Sequence, residues 1–277
     1  MNQISALKHD YKISVVMTVC QYDDAGDFEM AVESILNQTY QASEIIMVVD
    51  GVVSQEIETL LQKYESNTLF KIIRLPENVG LGLALQKGCT EAQYPLIARM
   101  DSDDVSEPTR FAKQINYFLQ NKDCDVVGTF GVKFFDNLEN IYAKQKLPID
   151  NHEIRKIIKK RNPLNHMSVM MKKDMLMKSG NYQDCYLAED YYLWVRMCLN
   201  GAVFYNIPEN LVNIRVNDKT FTRRHGMKYF KSLKQLFKFM LANKLIGRWT
   251  YWKNIFVRFI YHVLIPRYLK KMIYRKF

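Results

Sequence analysis

Three carboxylates stand within four residues of this 277-residue chain, at Asp101, Asp103 and Asp104, directly after the apolar run 94–98. An apolar run bounded by a turn signal is typical of a buried strand, so the acids are expected where that strand ends. Charges of the same sign repel one another unless a cation neutralises them, and Mg²⁺ or Mn²⁺ prefers oxygen ligands that it shares with phosphate. The cluster therefore predicts a metal–phosphate site, with a solvated turn as the alternative.

Two further sets of acids lie beside predicted elements. Asp50 follows the apolar run 44–49, while Glu189 and Asp190 open the segment 188–197, which has helical spacing. Open α/β sheets bind ligands at the carboxyl ends of their strands, which favours a site role for Asp50. Acids in the first turn of a helix interact favourably with its dipole, so capping is the structural alternative for the Glu189–Asp190 pair.

Strands and helices alternate through the first half of the chain. Strands are predicted over 13–19, 44–49, 70–75, 96–100 and 125–128, and helices over 27–37, 57–64, 81–92 and 108–119. This alternation predicts an α/β fold built on a mostly parallel, doubly wound sheet. The second half is less regular, with turns at 162–166 and 180–182, a strand over 167–171 and the helix that begins at 188.

A dinucleotide-binding fingerprint competes at Gly80-Leu81-Gly82, which follows a predicted strand and opens a helix. Its third glycine should stand where the chain has Leu85, and the pattern follows the third strand rather than the first. We therefore discount a Rossmann dinucleotide site at this position.

The positive charge of the chain is concentrated at its C-terminal end. The net charge is +10, yet no Asp or Glu follows Asp218, whereas 16 of the 39 Lys and Arg residues do. Residues 228–244 have the pattern of a basic amphipathic helix, and aromatic residues mix with basic ones over 249–268. This pattern favours an element that lies on an anionic membrane surface. A helical appendage packed on the preceding domain is the alternative, and no nucleic-acid-binding motif accompanies the basic residues.

Other features of the sequence predict a cytoplasmic location. The five cysteines form no C-x-x-C pair, which is typical of reduced thiols. Residues 1–12 lack the apolar core of a signal peptide, and no apolar run is long enough to span a bilayer.

Five segments occur in the order seen in family 2 inverting glycosyltransferases with a GT-A fold, which the chain resembles over residues 12–226. They are Ser14–Val19, Glu44–Gly51, Asn78–Gly82, Ala98–Asp104 with Pro108, and Ala188–Arg196. The resemblance is to the bacterial enzymes that build capsule, exopolysaccharide and O-antigen units. It implies a Rossmann-like GT-A domain over 1–226, with a donor half over 1–105 and an acceptor half over 106–226, followed by a basic helical tail over 227–277.

The resemblance also implies a role for individual residues. Asp190 matches the catalytic base, and Asp101 and Asp103 match the D-x-D pair that holds Mn²⁺ or Mg²⁺. Asp50 matches the acid that reads the uracil of a UDP-sugar. The other residues implied at the nucleotide are Val19, Asn78, Gly80, Arg99 and Asp101. Those expected at the acceptor or at a phosphate are His166, Glu189, Trp194, Arg196, Arg223 and Arg224.

The implied reaction is inverting transfer of a hexose from a UDP-sugar to a hydroxyl group of a glycan or of an undecaprenyl-diphosphate-linked sugar. We expect such an enzyme at the inner face of the cell membrane, held peripherally by its tail. A nucleotidyltransferase on a related α/β fold is one alternative, although residues 20–26 lack the basic residues of a triphosphate loop. A non-enzymatic basic protein that binds membranes or nucleic acid is the other.

Overall fold

The computed structural model describes residues 11–135, 137–217 and 224–265, and within these residues nine strands form one mixed sheet. The strands are β1 (Ile13–Cys20), β2 (Glu44–Asp50), β3 (Phe70–Leu75), β4 (Leu96–Arg99), β5 (Val105–Ser106), β6 (Val126–Phe134), β7 (Ile141–Lys144), β8 (Met170–Lys172) and β9 (Phe204–Arg215). Their order is β3-β2-β1-β4-β8-β6-β9-β5, and β7 pairs with β6. Six strands run in one direction and β5, β7 and β8 in the other, which confirms the α/β fold with a mostly parallel sheet.

Helices cover both faces of this sheet. They are α1 (Ala25–Leu36), α2 (Gln55–Glu65), α3 (Leu81–Glu91), α4 (Arg110–Gln120), α5 (Asn151–Ile157), α6 (Lys173–Lys178), α7 (Glu189–Leu199), α8 (Met227–Ala242) and α9 (Arg248–Phe259). Alternate strand residues face opposite sides. Val15 and Met17 of β1 therefore pack with α1, α2 and α4, whereas Val16 packs with α3 and α7.

The predicted strand 70–75 matches β3, and most other predicted boundaries differ by one or two residues. Three differences have a clear structural reason. The predicted strand 125–128 continues to Phe134, because β6 pairs with β9 along its whole length. The helix predicted from Pro108 begins at Arg110, because β5 first pairs with β9 and Glu107 donates its backbone N–H to Leu211 O. The strand predicted over 167–171 is split into a 3₁₀ turn (His166–Ser168) and the short β8.

The register of the sheet brings distant segments to one edge. Cys20 at the end of β1 pairs with Asp50 at the end of β2, and β4 lies on the other side of β1. The segments that leave β1, β2 and β4 therefore emerge side by side. This arrangement places the loop that carries Asp101, Asp103 and Asp104 next to Asp50, although about fifty residues separate them in the chain.

The tail helices pack against α7. The apolar face of α8, which includes Phe230, Leu233 and Phe237, is buried in one hydrophobic cluster with the apolar residues of α7. The Phe237 ring meets the Tyr191 ring edge to face, with 6.2 Å between centroids. Protein thus covers the face of α8 that was expected at a membrane. None of the helices in the described parts of the chain is both long and apolar enough to cross a bilayer.

Candidate active site

A cleft of about 360 Å³ opens at the sheet edge where β1, β2 and β4 end. Five residues predicted for the nucleotide and the metal line it together: Val19, Asp50, Asn78, Gly80 and Asp103. Glu189, from the start of α7, closes the opposite side. Because Asp23 and Asp184 also line it, we call it the acidic cleft.

Asp50 fixes the loop that precedes α3. Its Oδ1 accepts a hydrogen bond from the Val79 backbone N–H (2.7 Å), and its Oδ2 accepts one from that of Gly80 (3.1 Å). Gly51 permits this contact, because a Cβ atom at this residue would lie 2.7 Å from the backbone nitrogen of Asn78. Each carboxylate oxygen has a second lone pair, so Asp50 retains acceptor capacity for a ligand.

The acids after β4 converge on one point. Asp101, Asp103 and Asp104 each offer a carboxylate oxygen, and these oxygens lie within 4.8 Å of one another. Asp104 is 2% exposed, and burial together with the charges of Asp103 and Asp101 raises its pKa well above the usual range. Three hard oxygen donors with mutually repelling charges fit a divalent cation such as Mn²⁺ or Mg²⁺. The structure thus brings together all three acids of the predicted cluster, including Asp104, which lies outside the D-x-D pair.

Two arginines hold the acidic loop in place. The guanidinium of Arg99 is buried and forms an ion pair with Asp101. Arg215, at the end of β9, donates its backbone N–H to Asp104 Oδ1 (2.7 Å) and its Nε–H to the backbone oxygen of Asp103 (3.1 Å). Arg99 was predicted at the nucleotide, yet it is 1% exposed and does not line the cleft. Arg99 instead lies in the protein interior, where it pairs with Asp101.

Gly82 allows α3 to approach the start of α7. A Cβ atom at Gly82 would lie 2.9 Å from the backbone oxygen of Gln183 and 3.3 Å from Glu189 Cβ. The Gly-Leu-Gly pattern therefore has a packing function here, which agrees with our rejection of the dinucleotide fingerprint.

Glu189 and Asp190 face different cavities. Glu189 lines the acidic cleft, whereas Asp190 lines a second cavity of about 280 Å³. Burial, followed by the charge of Asp190, raises the pKa of Glu189 to about 7, while the charges of Arg224 and Arg99 act in the opposite direction. Leu187 lines both cavities and has a left-handed backbone conformation, with φ of 55°.

Asp190 is held by two hydrogen bonds. Its Oδ2 accepts one from the Asn162 side-chain amide (2.5 Å), and its Oδ1 accepts one from the Tyr191 backbone N–H (2.6 Å). Asn162 itself accepts a bond from the Leu164 backbone N–H (3.2 Å), which fixes its amide. A carboxylate oriented in this way and open to a cavity can accept a proton from a bound hydroxyl group.

The second cavity is rich in arginine. Arg161 from the loop after α5, Arg224 from the segment before α8 and Arg258 from α9 all line it. Asp190 is the sole acid among the described residues in its wall. We call it the basic cavity.

Three residues predicted at the acceptor or at a phosphate are not brought to either cavity, and Arg99 and Asp101, predicted at the nucleotide, line neither of them. The Trp194 indole is fully buried in the core, the more common place for an aromatic residue at helical spacing, so its expected place at the acceptor is corrected. Arg196 is buried on the same helix and donates to the backbone oxygen of Ser179, so it does not reach a phosphate in the cleft. His166 Nε2 lies 2.8 Å from the Tyr182 hydroxyl oxygen, and burial, followed by the charge of Arg99, lowers its pKa to about 4.

Arg224 lines the basic cavity, as noted above, whereas Arg223 lies outside the described residues. Four residues that the structure places at the candidate site were not predicted there from the sequence: Asn162, Asp23, Arg215 and Arg258. Asn162 had only a turn signal, and Arg215 is more than a hundred residues from the acids that it holds. Asp23 accepts hydrogen bonds from the Cys20 backbone N–H (2.7 Å) and from Ser102 Oγ (3.0 Å), so it joins the loop after β1 to the acidic loop.

Comparison with known proteins gives the family. Residues 14–180 match the model of the family described as Glycosyl transferase family 2. The UDP-Gal:alpha-D-GlcNAc-diphosphoundecaprenol beta-1,3-galactosyltransferase of Escherichia coli is 32% identical, over 96% of this chain and 96% of its own length. The O-antigen biosynthesis glycosyltransferase WbnJ of Escherichia coli is 38% identical, over 79% of this chain and 85% of its own.

Among solved structures, residues 1–349 of S. aureus TarS in complex with UDP superpose with a TM-score of 0.67 at 14% identity, over 90% of this chain and 72% of that one. This likeness supports the GT-A fold. The matches favour a glycosyltransferase over the nucleotidyltransferase and non-enzymatic alternatives. Together with the acids gathered at the sheet edge, they show that the chain belongs to glycosyltransferase family 2.

Proposed function

We propose that this glycosyltransferase transfers a hexose, with inversion and with the aid of a divalent metal ion, from a UDP-sugar to a hydroxyl group of a lipid-diphosphate-linked or glycan acceptor. The observation that carries the proposal is that Leu187 lies between two sites: it lines the cleft into which the Asp101–Asp103–Asp104 cluster presents Asp103, and it lines the cavity that contains Asp190. A donor diphosphate and an acceptor hydroxyl group need these two chemistries on opposite sides of the reacting carbon. The names of the relatives support a place in bacterial surface polysaccharide synthesis.

The acidic cleft is the proposed donor site. Asp50 and Val19 lie where the nucleoside would enter, at the ends of β2 and β1. Asp101, Asp103 and Asp104 would hold Mn²⁺ or Mg²⁺, which when bound supplies positive charge to the diphosphate of the leaving group. Arg99 and Arg215 keep the three carboxylates in place through the contacts described above.

The proposed reaction is a single displacement. The oxygen of the acceptor hydroxyl group bonds to the anomeric carbon, and its proton passes to the carboxylate of Asp190. The bond between the anomeric carbon and the diphosphate oxygen breaks, and its electron pair leaves with UDP. Attack opposite the leaving group inverts the anomeric centre, and Asn162 orients Asp190 for the proton transfer.

The proposed membrane contact is made by α9. Trp249, Trp252 and Phe256 are 83%, 63% and 66% exposed and recur at helical spacing along one side of α9. Aromatic residues beside Lys and Arg are suited to the interface of an anionic leaflet. The face of α8 that packs on α7 takes no part in this contact, so the proposal concerns α9 and not the whole tail. We infer a peripheral position at the inner face of the cell membrane.

A donor screen tests the proposed reaction. Purified protein is incubated with each of several UDP-sugars, Mn²⁺ and an alkyl-diphosphate-linked N-acetylglucosamine, and released UDP and the anomeric configuration of the product are measured. We expect UDP release that requires both acceptor and metal, and an inverted product. Release of pyrophosphate from a nucleoside triphosphate, or a product with retained configuration, would contradict the proposal.

A further inference from the structure

The basic cavity has a charge that the proposed reaction leaves unexplained. Proton transfer to Asp190 needs no arginine, yet the guanidinium groups of Arg161, Arg224 and Arg258 surround this carboxylate. Three cations and one anion leave an excess of two positive charges among the described residues that line the cavity. An excess of this size in a partly enclosed space attracts an anion.

Contacts within the protein hold Arg258 without neutralising it. Arg258 Nη1 donates to the Asn254 side-chain oxygen (3.0 Å), Nη2 donates to the backbone oxygen of Lys160, and the guanidinium stacks 4.4 Å from the centroid of the Phe237 ring. All three partners are uncharged. Arg258 therefore remains a cation in a fixed orientation, because a guanidinium does not lose its proton in proteins.

The other two arginines differ in how firmly they are placed. The backbone oxygen of Arg224 accepts a hydrogen bond from His262 Nδ1 (3.0 Å), which ties the segment before α8 to the segment after α9. The Arg161 side chain is exposed and forms no hydrogen bond or ion pair with the described residues. A ligand can therefore bind this guanidinium without breaking a contact to the described residues.

We propose that the basic cavity is the acceptor subsite and that its arginines bind the diphosphate group of a lipid-linked sugar, an inference that rests on the proposed function. Guanidinium forks bind phosphate oxygens in pairs, and a diphosphate diester carries two negative charges that Arg161 and Arg258 can bind. The donor diphosphate has its own site, because Asp101, Asp103 and Asp104 line none of this cavity. With the diphosphate on the arginines, the attached sugar lies beside Asp190.

One helix joins this subsite to the proposed membrane surface. Val257 of α9 lines the basic cavity and is 51% exposed, and its neighbour Phe256 is exposed on the outside of the same helix. The alkyl chain of the acceptor would leave the cavity along Val257 and enter the leaflet beside Phe256 and Trp252. The helix that contacts the membrane would thus also supply Arg258 to the phosphates.

The experiment compares two acceptors that differ in the diphosphate alone: an alkyl α-N-acetylglucosaminyl diphosphate and the alkyl α-N-acetylglucosaminide without it. The full-length variants Arg161→Gln and Arg258→Gln are assayed with both acceptors in the absence of vesicles. Lys253→Gln, an exposed cation of α9 that lines neither cavity, is the matched control. Calorimetric binding of the diphosphate acceptor, without metal or donor, gives a readout that does not depend on transfer.

We expect each arginine variant to lower the ratio of kcat/KM for the diphosphate acceptor to that for the neutral acceptor about tenfold, since each removes a charged hydrogen-bond donor. Calorimetric affinity should fall by the same factor, while KM for the UDP-sugar and the behaviour of Lys253→Gln stay at the wild-type level. Arg161→Gln keeps the test valid if Arg258→Gln does not fold, because Arg161 is exposed.

An unchanged ratio in both arginine variants, or an equal fall in Lys253→Gln, would overturn the inference and leave the proposed function intact. A wild-type protein that transfers to neither acceptor from any UDP-sugar would instead reject the proposed function, and this inference with it.

Discussion

Asn162 donates its side-chain amide to Asp190 Oδ2 over 2.5 Å, from a loop that lies 28 residues earlier in the chain. This contact fixes the carboxylate that we propose as the base, whereas its neighbour Glu189 turns into the acidic cleft. Two adjacent acids with the same sequence signal are thereby given different surroundings.

Asn162 is expected to act as a positioning residue. Asn162→Ala should lower kcat roughly 10- to 100-fold with little change in KM for the donor, because a misplaced base slows proton transfer. Asn162→Asp should also move the acidic limb of the kcat/KM pH profile to higher pH, since a second carboxylate disfavours ionised Asp190. Asn116→Ala, an exposed amide on α4, is the control. Wild-type kcat and an unshifted profile would assign Asn162 no such role.

The acid cluster predicts a metal requirement. Asp103→Asn should lower transfer at least about 100-fold, because a cation at this point stabilises the charge of the leaving diphosphate. The rise in melting temperature that wild type shows on addition of Mn²⁺ with UDP should disappear. Asp104→Asn is expected to behave similarly, whereas the exposed Asp123→Asn should not. Full activity after chelation and removal of divalent ions would argue against a metal site.

Gly82→Ala measures the approach of α3 to α7. Ala would gain about 1 kcal/mol of helix propensity, but its Cβ would lie 2.9 Å from the backbone oxygen of Gln183, which cannot rotate away. We expect a net loss of about 1 to 3 kcal/mol in the free energy of unfolding, together with a lower kcat as Glu189 is displaced. Gly247→Ala, where the space is open, should cost a few tenths of a kcal/mol. A variant more stable than wild type would contradict the packing argument.

Stability should depend on pH through Glu189. Its pKa is about 7 in the folded protein, against 4.5 as its ordinary value, and the facing charged groups are Asp190, Arg224 and Arg99. A carboxyl group whose pKa rises on folding destabilises the folded protein once it must ionise. Its contribution to the free energy of unfolding is therefore fully present below about pH 4.5 and is lost as the pH rises through 7. Glu189→Gln should therefore stabilise the protein at pH 8 relative to pH 5 by roughly 1 to 3 kcal/mol.

Chemical unfolding at the two pH values measures the effect of Glu189→Gln. Glu139→Gln, on an exposed loop, serves as its control and should show the same pH dependence as wild type. If the free energy of unfolding of Glu189→Gln changes between the two pH values as that of wild type does, Glu189 is ionised in the folded protein at pH 5 and the prediction is wrong.

The exposed aromatics of α9 predict membrane binding. The double variant Trp252→Ala, Phe256→Ala should bind phosphatidylglycerol vesicles more weakly, because two large apolar side chains no longer enter the interface. We expect the partition coefficient, measured from the fraction of protein that sediments with the vesicles, to fall about tenfold. Binding should weaken with added salt and be small on phosphatidylcholine vesicles. Ile141→Ala, an exposed apolar residue of β7, should bind as wild type does. Equal sedimentation of all three proteins would exclude α9 as the contact.

Much of the fold was predictable because its signals are local. The composition of residues 70–75 predicts a strand, and the structure has β3 there. The acids after β4 are predicted at a strand end because they follow an apolar run that ends at a turn. Side-chain periodicity and turn residues act over a few positions, so a single sequence carries them in full. The same information could not separate Glu189 from Asp190, because both open α7.

The tertiary structure decided which side chains share a space. The sequence determined the type of chemistry: carboxylates at strand ends, an acidic start to α7 and a basic tail. It did not place Asn162 against Asp190 or Arg215 against Asp104, because these contacts join segments that are 28 residues or more apart. Their energies arise from burial and hydrogen bonding across the assembled sheet, which no local pattern encodes.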